Sequence, residues 1–360
     1  MTPNIVQHRL HNQLLSQTKL IEPSQVVARL AAIQAQDYSG AKWAIAQRSN
    51  GLTDVAIDKA FNEGKILRTH FLRPTWHFVT PDDIRWMLAL TAPRVHAGNA
   101  FMYRQLELDQ TTLKKTNATL EKALKDGKQL TRAELASTFQ KAGILTSGLR
   151  VGYFLMYAEL EALICSGARR GKQFTYTLLE EQAPKVRALN HDEALAELTK
   201  RYFSTRGPAT LQDFTWWSGL TMSDAKKGIE MVKPEFVDEV FDGKTYWYDH
   251  SVSPVQETSP TAHLLPNYDE YFIGFKDRSA IGEIIGQFNL DANDPAFIAH
   301  IIILDGQIVG GWRRTLKKDA VIVELNLLTN LTKTENQAVM EAVDQYGKFL
   351  GLPVEITNAA

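Results

Sequence analysis

The amino-acid sequence predicts an α+β protein with three tandem winged helix-turn-helix units and a C-terminal β-rich subdomain, all packed as one body. Between about residue 1 and residue 250, helical segments followed by a strand-turn-strand occur three times. After Pro254, short apolar strands separated by turns replace this pattern. Because no long linker separates the units, we expect them to pack together. The predicted boundaries are residues 1–105, 106–187, 188–253 and 254–360.

The first unit, residues 1–105, contains four predicted helices followed by a β-hairpin. Apolar periodicity and capping residues place the helices near Ile5–Leu15, at Pro23–Gln34, at Ala41–Arg48 and after Thr53. Alternating aromatic and β-branched residues predict the hairpin over Ile66–Val79. Thr80 is expected to cap the next helix, because Pro81 follows at the first helical position.

The second unit, residues 106–187, is predicted to end in a β-hairpin wing. Thr131 and Glu134 have the spacing of a capping box, and the apolar stretch Tyr153–Ile164 predicts a helix. The wing is expected over Gly167–Leu179, because its second half is aromatic and β-branched. Its tip carries three candidate DNA-binding cations, Arg169, Arg170 and Lys172.

The third unit, residues 188–253, repeats the same order of elements. A helix is expected from His191, and two capping boxes, Thr210 to Asp213 and Thr221 to Asp224, begin two more. The hairpin Phe236–Tyr248 then turns at Asp242-Gly243. This unit therefore supplies a third predicted wing.

The C-terminal subdomain, residues 254–360, is predicted to be a β-meander followed by a helix. The strands are expected at Ile298–Leu304, Ile308–Arg314 and Ala320–Leu328. Asp305-Gly306 favours a tight turn between the first two strands, and the helix is expected from Thr334.

The charge balance and the cysteine content exclude several classes of protein. With 40 basic and 41 acidic residues, the chain cannot be coated in positive charge, so a nucleic-acid surface must be local. Residues 168–172 and 312–318 are the two local basic clusters. The single cysteine, Cys165, excludes an internal disulfide and a multi-thiolate metal site.

Other sequence signals that would redirect the interpretation are missing. No apolar run approaches the roughly 20 residues of a membrane span, and residues 1–4 do not begin a signal peptide, so we expect a cytoplasmic protein with no membrane partner. Phosphate-binding loops, nucleophile elbows and zinc-protease motifs are absent. His8 and His11 have no further ligands nearby, so no metal and no cofactor are expected.

Two glutamines flank a small residue at the end of the second predicted helix: Gln34, Ala35 and Gln36. On a continuous helix, residues two apart point away from each other, so both amides can face one site only if the helix breaks at about Gln36. Residues 37–40, Asp-Tyr-Ser-Gly, are typical of such a break. Spacing alone favours a polar helix end with solvated amides, because two glutamines are a weak motif.

Gln34-Ala35-Gln36 resembles the Gln-φ-Gln motif of the AlkZ-like winged-helix DNA glycosylases, at the same place after the second helix. The small Ala35 stands where that motif accepts bulkier residues. Further stretches are similar to the same family, in order: Arg68-Thr69, residues 73–79, residues 160–167, residues 202–210, Asp213-Phe214, residues 216–219 and residues 268–271. The resemblance covers nearly the whole chain, and it implies the fold described above.

The resemblance implies a monofunctional glycosylase that acts on alkylated purines in double-stranded DNA, with no obligate protein partner. Gln34 and Gln36 cannot titrate, so they cannot act as general acid or base. A purine alkylated at N7 is already cationic and leaves as a neutral base, so it needs no proton donor. The amide oxygens can instead hold the attacking water and stabilise the cationic sugar. Bulky adducts and interstrand crosslinks are candidate substrates, for which we expect an open cleft rather than a tight purine pocket.

Several residues are candidates for supporting roles beside the glutamines. His77 can bind a phosphate or the glutamines, or be a buried histidine bonded to backbone, and Asp37 is an alternative carboxylate for the site. Arg68 and Arg73 are candidate phosphate contacts, with a surface salt bridge as the alternative for each. The hairpin after Leu304 resembles the family's DNA-probing hairpin, with three candidate contacts: Trp312, Arg313 and Arg314.

Two other interpretations remain open at this point. One is a non-catalytic winged-helix DNA-binding protein such as a transcription regulator, although residues 222–231 and 151–164 are poor recognition helices. The other is a protein-interaction scaffold, which the near-neutral charge favours.

Overall fold

A computed structural model describes residues 5–16, 20–183, 188–252, 260–283 and 300–358. Within these ranges the chain is an α+β protein, as predicted. None of its helices in these ranges has the length and apolar character needed to cross a membrane.

The first stretch of the fold surrounds a small antiparallel sheet. Its elements are α1 (Ile5–Asn12), α2 (Pro23–Leu30), β1 (Ile33–Gln34), α3 (Tyr38–Gln47), α4 (Asp54–Asn62), β2 (Leu67–Phe71), β3 (Thr75–Val79) and α5 (Ile84–Gln105). The strand order is β1-β3-β2, so β3 is central. Thr53 caps α4 as predicted.

Two predictions for this stretch are wrong. The helix expected to reach Gln34 ends at Leu30, because Ala31 adopts a φ of 64° and the following residues pair with β3. The predicted cap at Thr80 is displaced, since α5 begins at Ile84 with Asp83 at the N-cap position. Thr80 Oγ1 instead donates to Asp83 Oδ2 over 2.7 Å.

The second stretch contains a three-stranded sheet in the order β4-β6-β5. Its elements are α6 (Gln110–Leu124), β4 (Leu130–Thr131), α7 (Arg132–Lys141), α8 (Arg150–Leu160), β5 (Ile164–Arg170), β6 (Gln173–Leu178) and α9 (Leu179–Gln182). The capping box at Thr131 and the hairpin with its basic tip are confirmed. The helix predicted to reach Ile164 ends at Leu160, because Ala162 has a φ of 55°.

The third stretch has three helices and a two-stranded hairpin. Its elements are α10 (His191–Arg206), α11 (Leu211–Ser218), α12 (Met222–Val232), β7 (Val237–Phe241) and β8 (Lys244–Tyr248). Both predicted capping boxes are present, at Thr210 and Thr221. The order of helices and hairpin agrees with the sequence prediction.

The C-terminal stretch forms a five-stranded sheet in the order β13-β12-β11-β10-β9. Its elements are β9 (Ala262–Leu265), α13 (Glu270–Ile273), β10 (Ile301–Leu304), β11 (Gln307–Leu316), β12 (Val321–Leu327), α14 (Lys333–Leu350) and β13 (Val354–Asn358). The predicted meander is incomplete, because β9 was missed and β13 adds a parallel edge strand. Residues 298–299 of the first predicted strand lie outside the described residues.

The hydrophobic cores cross the predicted domain boundaries. One core joins Val27 and Phe78 of the first stretch to Leu264 and Val339 of the C-terminal stretch. A second joins Leu67 of the first stretch to residues of the third, such as Phe203 and Trp217. The first sheet is therefore supported from both sides, while the domain boundaries and the winged-helix character of each unit stay predictions.

Candidate active site

Gln34 ends the edge strand β1 of the first sheet, and Ala35 and Gln36 follow it, so the segment is not a helix end. Gln34 lies opposite His77 on β3, and Ala35 N donates to the Trp76 backbone oxygen over 2.7 Å. The predicted helix break at about Gln36 is wrong, because α2 already ends at Leu30 and Gln34 lies on a strand.

The buried Gln34 is held through both its side chain and its backbone. Arg73 Nη2 donates to Gln34 Oε1 over 3.0 Å, and Arg73 Nη1 donates to the Trp216 backbone oxygen over 3.3 Å. Gln34 N donates to Glu270 Oε1 over 2.9 Å. Gln36, in contrast, is exposed. The first glutamine is thus fixed, and the second faces solvent.

A buried ionic cluster lies beneath β1. Arg206 Nη2 donates to Glu270 Oε2 over 2.6 Å, and Trp217 Nε1 donates to the same oxygen over 2.8 Å. Arg206 also donates to the Leu30 and Ala32 backbone oxygens. Both charged side chains are fully buried, so each depends on the other for compensation. The cluster holds the backbone of the sharp turn between α2 and β1.

Arg68, expected at a phosphate, is instead buried beneath the glutamine segment. Its Nε donates to the Ala35 backbone oxygen over 3.1 Å, and its guanidinium lies 4.3 Å from the Trp76 ring centre and 4.2 Å from that of Phe174. Burial lowers the pKa of Arg68 to about 10. Arg68 therefore supports Ala35 through packing and a hydrogen bond, and it does not face the surface.

His77 is buried and remains neutral. Its Nδ1 donates to the Thr75 backbone oxygen over 3.0 Å, while its buried Nε2 has no partner among the described residues. Burial, reinforced by the charge of Arg73, holds the pKa of His77 well below its usual range. The geometry supports the alternative in which His77 is a buried histidine bonded to backbone. It does not support a direct contact between His77 and a phosphate.

Asp37 begins α3 and faces the C-terminal sheet. Its Oδ1 accepts from Gly40 N over 3.1 Å, which caps the helix, and its Oδ2 lies 3.5 Å from Arg314 Nη2. Asp37 is half-buried. Its carboxylate is therefore engaged by a helix start and a cation, beside but not within the pair of glutamines.

The predicted surface cations differ in how much they are engaged. Arg169 stacks over the Tyr38 ring at 4.6 Å, and Arg170 Nη1 lies 2.8 Å from Glu134 Oε1. Lys172 and Arg313 are exposed. These two side chains are free to approach a polyanion.

Trp312, expected on the DNA-facing side of its hairpin, is buried in the core. Its Nε1 donates to the Leu265 backbone oxygen over 2.8 Å, and its ring packs edge-on against Tyr346 at 5.1 Å. Alternation along β11 explains the difference, because Trp312 faces α14 while Arg313 points to the opposite side. Of this predicted DNA-facing set, Arg313 is exposed and Arg314 is half-buried.

Glu270, Arg206 and Trp217 were not predicted as site residues. They occur in stretches already compared with the family, residues 268–271, 202–210 and 216–219. Arg206 and Glu270 were the available signal. Charged residues are rarely buried unless they are paired, so a charge among aromatic and apolar residues can indicate a buried ion pair. The sequence did not show that these stretches meet beneath Gln34.

A sequence model described as DNA glycosylase AlkZ-like matches residues 27–349. The chain belongs to the AlkZ-like DNA glycosylase family. An interstrand DNA cross-link repair glycosylase from Streptomyces sahachiroi is 24% identical over 319 residues, covering 84% of this chain and 85% of that protein. The solved structure of the DNA glycosylase AlkZ from the same organism aligns with a TM-score of 0.79 and 21% identity, covering 98% of both chains. By family, this AlkZ-like protein is an enzyme, a DNA glycosylase.

Proposed function

We propose that this protein is a monofunctional glycosylase that hydrolyses the N-glycosidic bond of cationic N7-alkylated purines, including bulky adducts and interstrand crosslinks. Gln34 and Gln36 position the water. The observation that supports this proposal is a segment with two non-titrating amides, in which Gln34 is buried and held by Arg73 and Glu270 while Gln36 is exposed. We also propose that the three helix-hairpin sets act as winged helices around duplex DNA.

The chemistry balances without a proton donor. Water oxygen bonds to C1′ of the deoxyribose, and the C1′–N9 bond breaks with its electron pair moving onto the purine. That electron pair neutralises the cationic base, and the attacking water loses one proton to bulk solvent. Amides that orient the water and face the cationic sugar stabilise this transition state without changing protonation.

The crosslink substrate rests on a separate argument. The curated relative that shares 24% identity is named an interstrand DNA cross-link repair glycosylase, and the family match spans residues 27–349. Bulky adducts do not fit a closed purine pocket, so a site with an exposed Gln36 suits them.

Base release from duplex DNA tests the proposal. Wild-type protein and the Gln34→Ala, Gln36→Ala double variant are compared on a duplex with N7-methylguanine and on a crosslinked duplex. We expect wild type to release the modified base and the double variant to be slower by about 100-fold or more. Equal release by both proteins on both duplexes would remove the glutamines from the mechanism.

A further inference from the structure

We propose that Arg73 is a positioning residue that makes Gln34 the hydrogen-bond donor of the pair and leaves Gln36 as the acceptor. The inference rests on the proposed function. In the earlier expectation both amide oxygens face the water and Arg73 binds a phosphate. Here one amide oxygen faces Arg73, and Arg73 positions a residue of the site.

The chemistry of the contact determines which way the Gln34 amide faces. A guanidinium has five donors and no acceptor, so the Gln34 atom that meets Arg73 Nη2 at 3.0 Å must be the oxygen. The Gln34 Nε2 group then points away from Arg73, and it has no protein partner among the described residues. The group that Gln34 offers to a ligand is therefore an N–H donor.

The arginine itself is rigidly seated. It lies in the turn between β2 and β3, and its Nη1 donates to the backbone oxygen of Trp216 on α11. Gly219, with a φ of 73°, ends α11 so close to this turn that an added Cβ would lie 2.4 Å from the Leu72 backbone oxygen. Since the turn, α11 and Arg73 are packed together, the orientation of the Gln34 amide follows from the fold.

A donor and an acceptor can hold one water molecule between them. The water oxygen accepts from Gln34 Nε2, and one of its O–H groups donates to Gln36 Oε1. One lone pair then remains to attack C1′, and the second O–H faces solvent and releases its proton. All four tetrahedral positions of the water have a use, and this division gives each glutamine one role.

Two isosteric substitutions separate the roles. Gln34→Glu keeps a contact with Arg73 but removes the donor, whereas Gln36→Glu keeps the acceptor. In single-turnover base release we expect Gln34→Glu to be slower by about 100-fold and the loss from Gln36→Glu to be at least about tenfold smaller. Equal losses, or a larger loss for Gln36→Glu, would overturn the assignment.

The role of Arg73 is tested by a double-mutant cycle. Arg73→Met is expected to slow release in the wild-type background and to have no effect in the Gln34→Ala background, with DNA affinity unchanged in both. The control Arg313→Met changes an exposed cation and is expected to weaken DNA affinity instead. A loss from Arg73→Met that persists without Gln34, or that appears in affinity alone, would make Arg73 a DNA contact.

A measurement without turnover separates this inference from the proposed function. In protein labelled with ¹⁵N at glutamine side chains, the Gln34 amide resonance is expected to shift in Arg73→Met. An unchanged resonance would show that Arg73 does not hold the amide, whatever the activity. If the resonance shifts but wild type releases no base from either duplex, the proposed function fails and the donor–acceptor roles fail with it.

Discussion

The arginines of the first sheet and the cations of the outer hairpins have the same chemistry and opposite surroundings. Arg68 is buried against the rings of Trp76 and Phe174 and donates to Ala35, and the half-buried Arg73 donates to Gln34. Lys172 and Arg313 lie on hairpins of the second and C-terminal stretches, and both are exposed. The difference teaches that a basic residue near a DNA site can build the site instead of binding the DNA.

Burial decides which of these roles a cation takes. A guanidinium removed from water must find acceptors, and these two arginines find the Ala35 oxygen, the Gln34 amide oxygen and the Trp216 backbone oxygen. An exposed cation keeps its hydration until a phosphate displaces counterions. Substitutions of Arg68 and Arg73 should therefore change stability and catalytic rate. Substitutions of Lys172 and Arg313 should change the affinity for DNA and its salt dependence.

The largest expected effect comes from the buried carboxylate beneath Gln34. Glu270→Leu leaves Arg206 charged and unpaired inside the protein, and we expect unfolding free energy to fall by about 3–5 kcal/mol. Denaturant unfolding measures the loss, with Arg313→Leu as the exposed control. A Glu270→Leu protein as stable as the control would contradict the role given to the cluster.

The next largest effect distinguishes the buried Arg68 from the exposed Lys172. Arg68→Met removes a hydrogen bond from a charged donor to the Ala35 oxygen, and we expect a loss of about 1.5–3 kcal/mol in unfolding free energy and slower base release. Lys172→Met is expected to leave stability unchanged and to lower the salt dependence of DNA binding by about one phosphate contact. A change in the salt dependence of DNA binding in Arg68→Met would contradict the distinction between Arg68 and Lys172.

The pH dependence of stability reports on the buried His77. Its pKa is lowered in the folded protein, so below pH of about 6.5 the unfolded chain binds more protons and the folded state is disfavoured. We expect unfolding free energy to be constant above that pH and to fall below it, by about 1.4 kcal/mol per pH unit for each such histidine. His77→Asn should reduce this slope, and the exposed His191→Asn is the control. An unchanged slope in His77→Asn would mean that His77 is not kept neutral.

The smallest expected effect is at Asp37. Asp37→Asn keeps the helix cap, because an asparagine oxygen accepts from Gly40 N as well as a carboxylate does. We therefore expect base release within about twofold of wild type in single-turnover assays. A loss of about 100-fold would instead make Asp37 the carboxylate of the reaction, and the two-glutamine site would have to be revised.

Local signals in the sequence were sufficient for many of the elements. The capping boxes at Thr131, Thr210 and Thr221 begin helices where their spacing predicts, because capping depends on residues three positions apart. The turn at Asp242-Gly243 is equally local. Strand β1 is different, since residues 33–34 are extended only because β3 pairs with them and Arg206 binds the preceding backbone.

By itself, the sequence determined the α+β class, the three helix-hairpin sets, the family resemblance and the choice of Gln34 and Gln36, since all of these depend on composition, short spacings or ordered motifs. The tertiary structure decided that Gln34 lies on a strand, that Arg68, His77 and Trp312 face inward, and that Glu270 accepts a hydrogen bond from the Gln34 backbone. The physical reason is distance along the chain. Gln34 and Glu270 are separated by 236 positions, and their contact arises only when two cores close around one sheet.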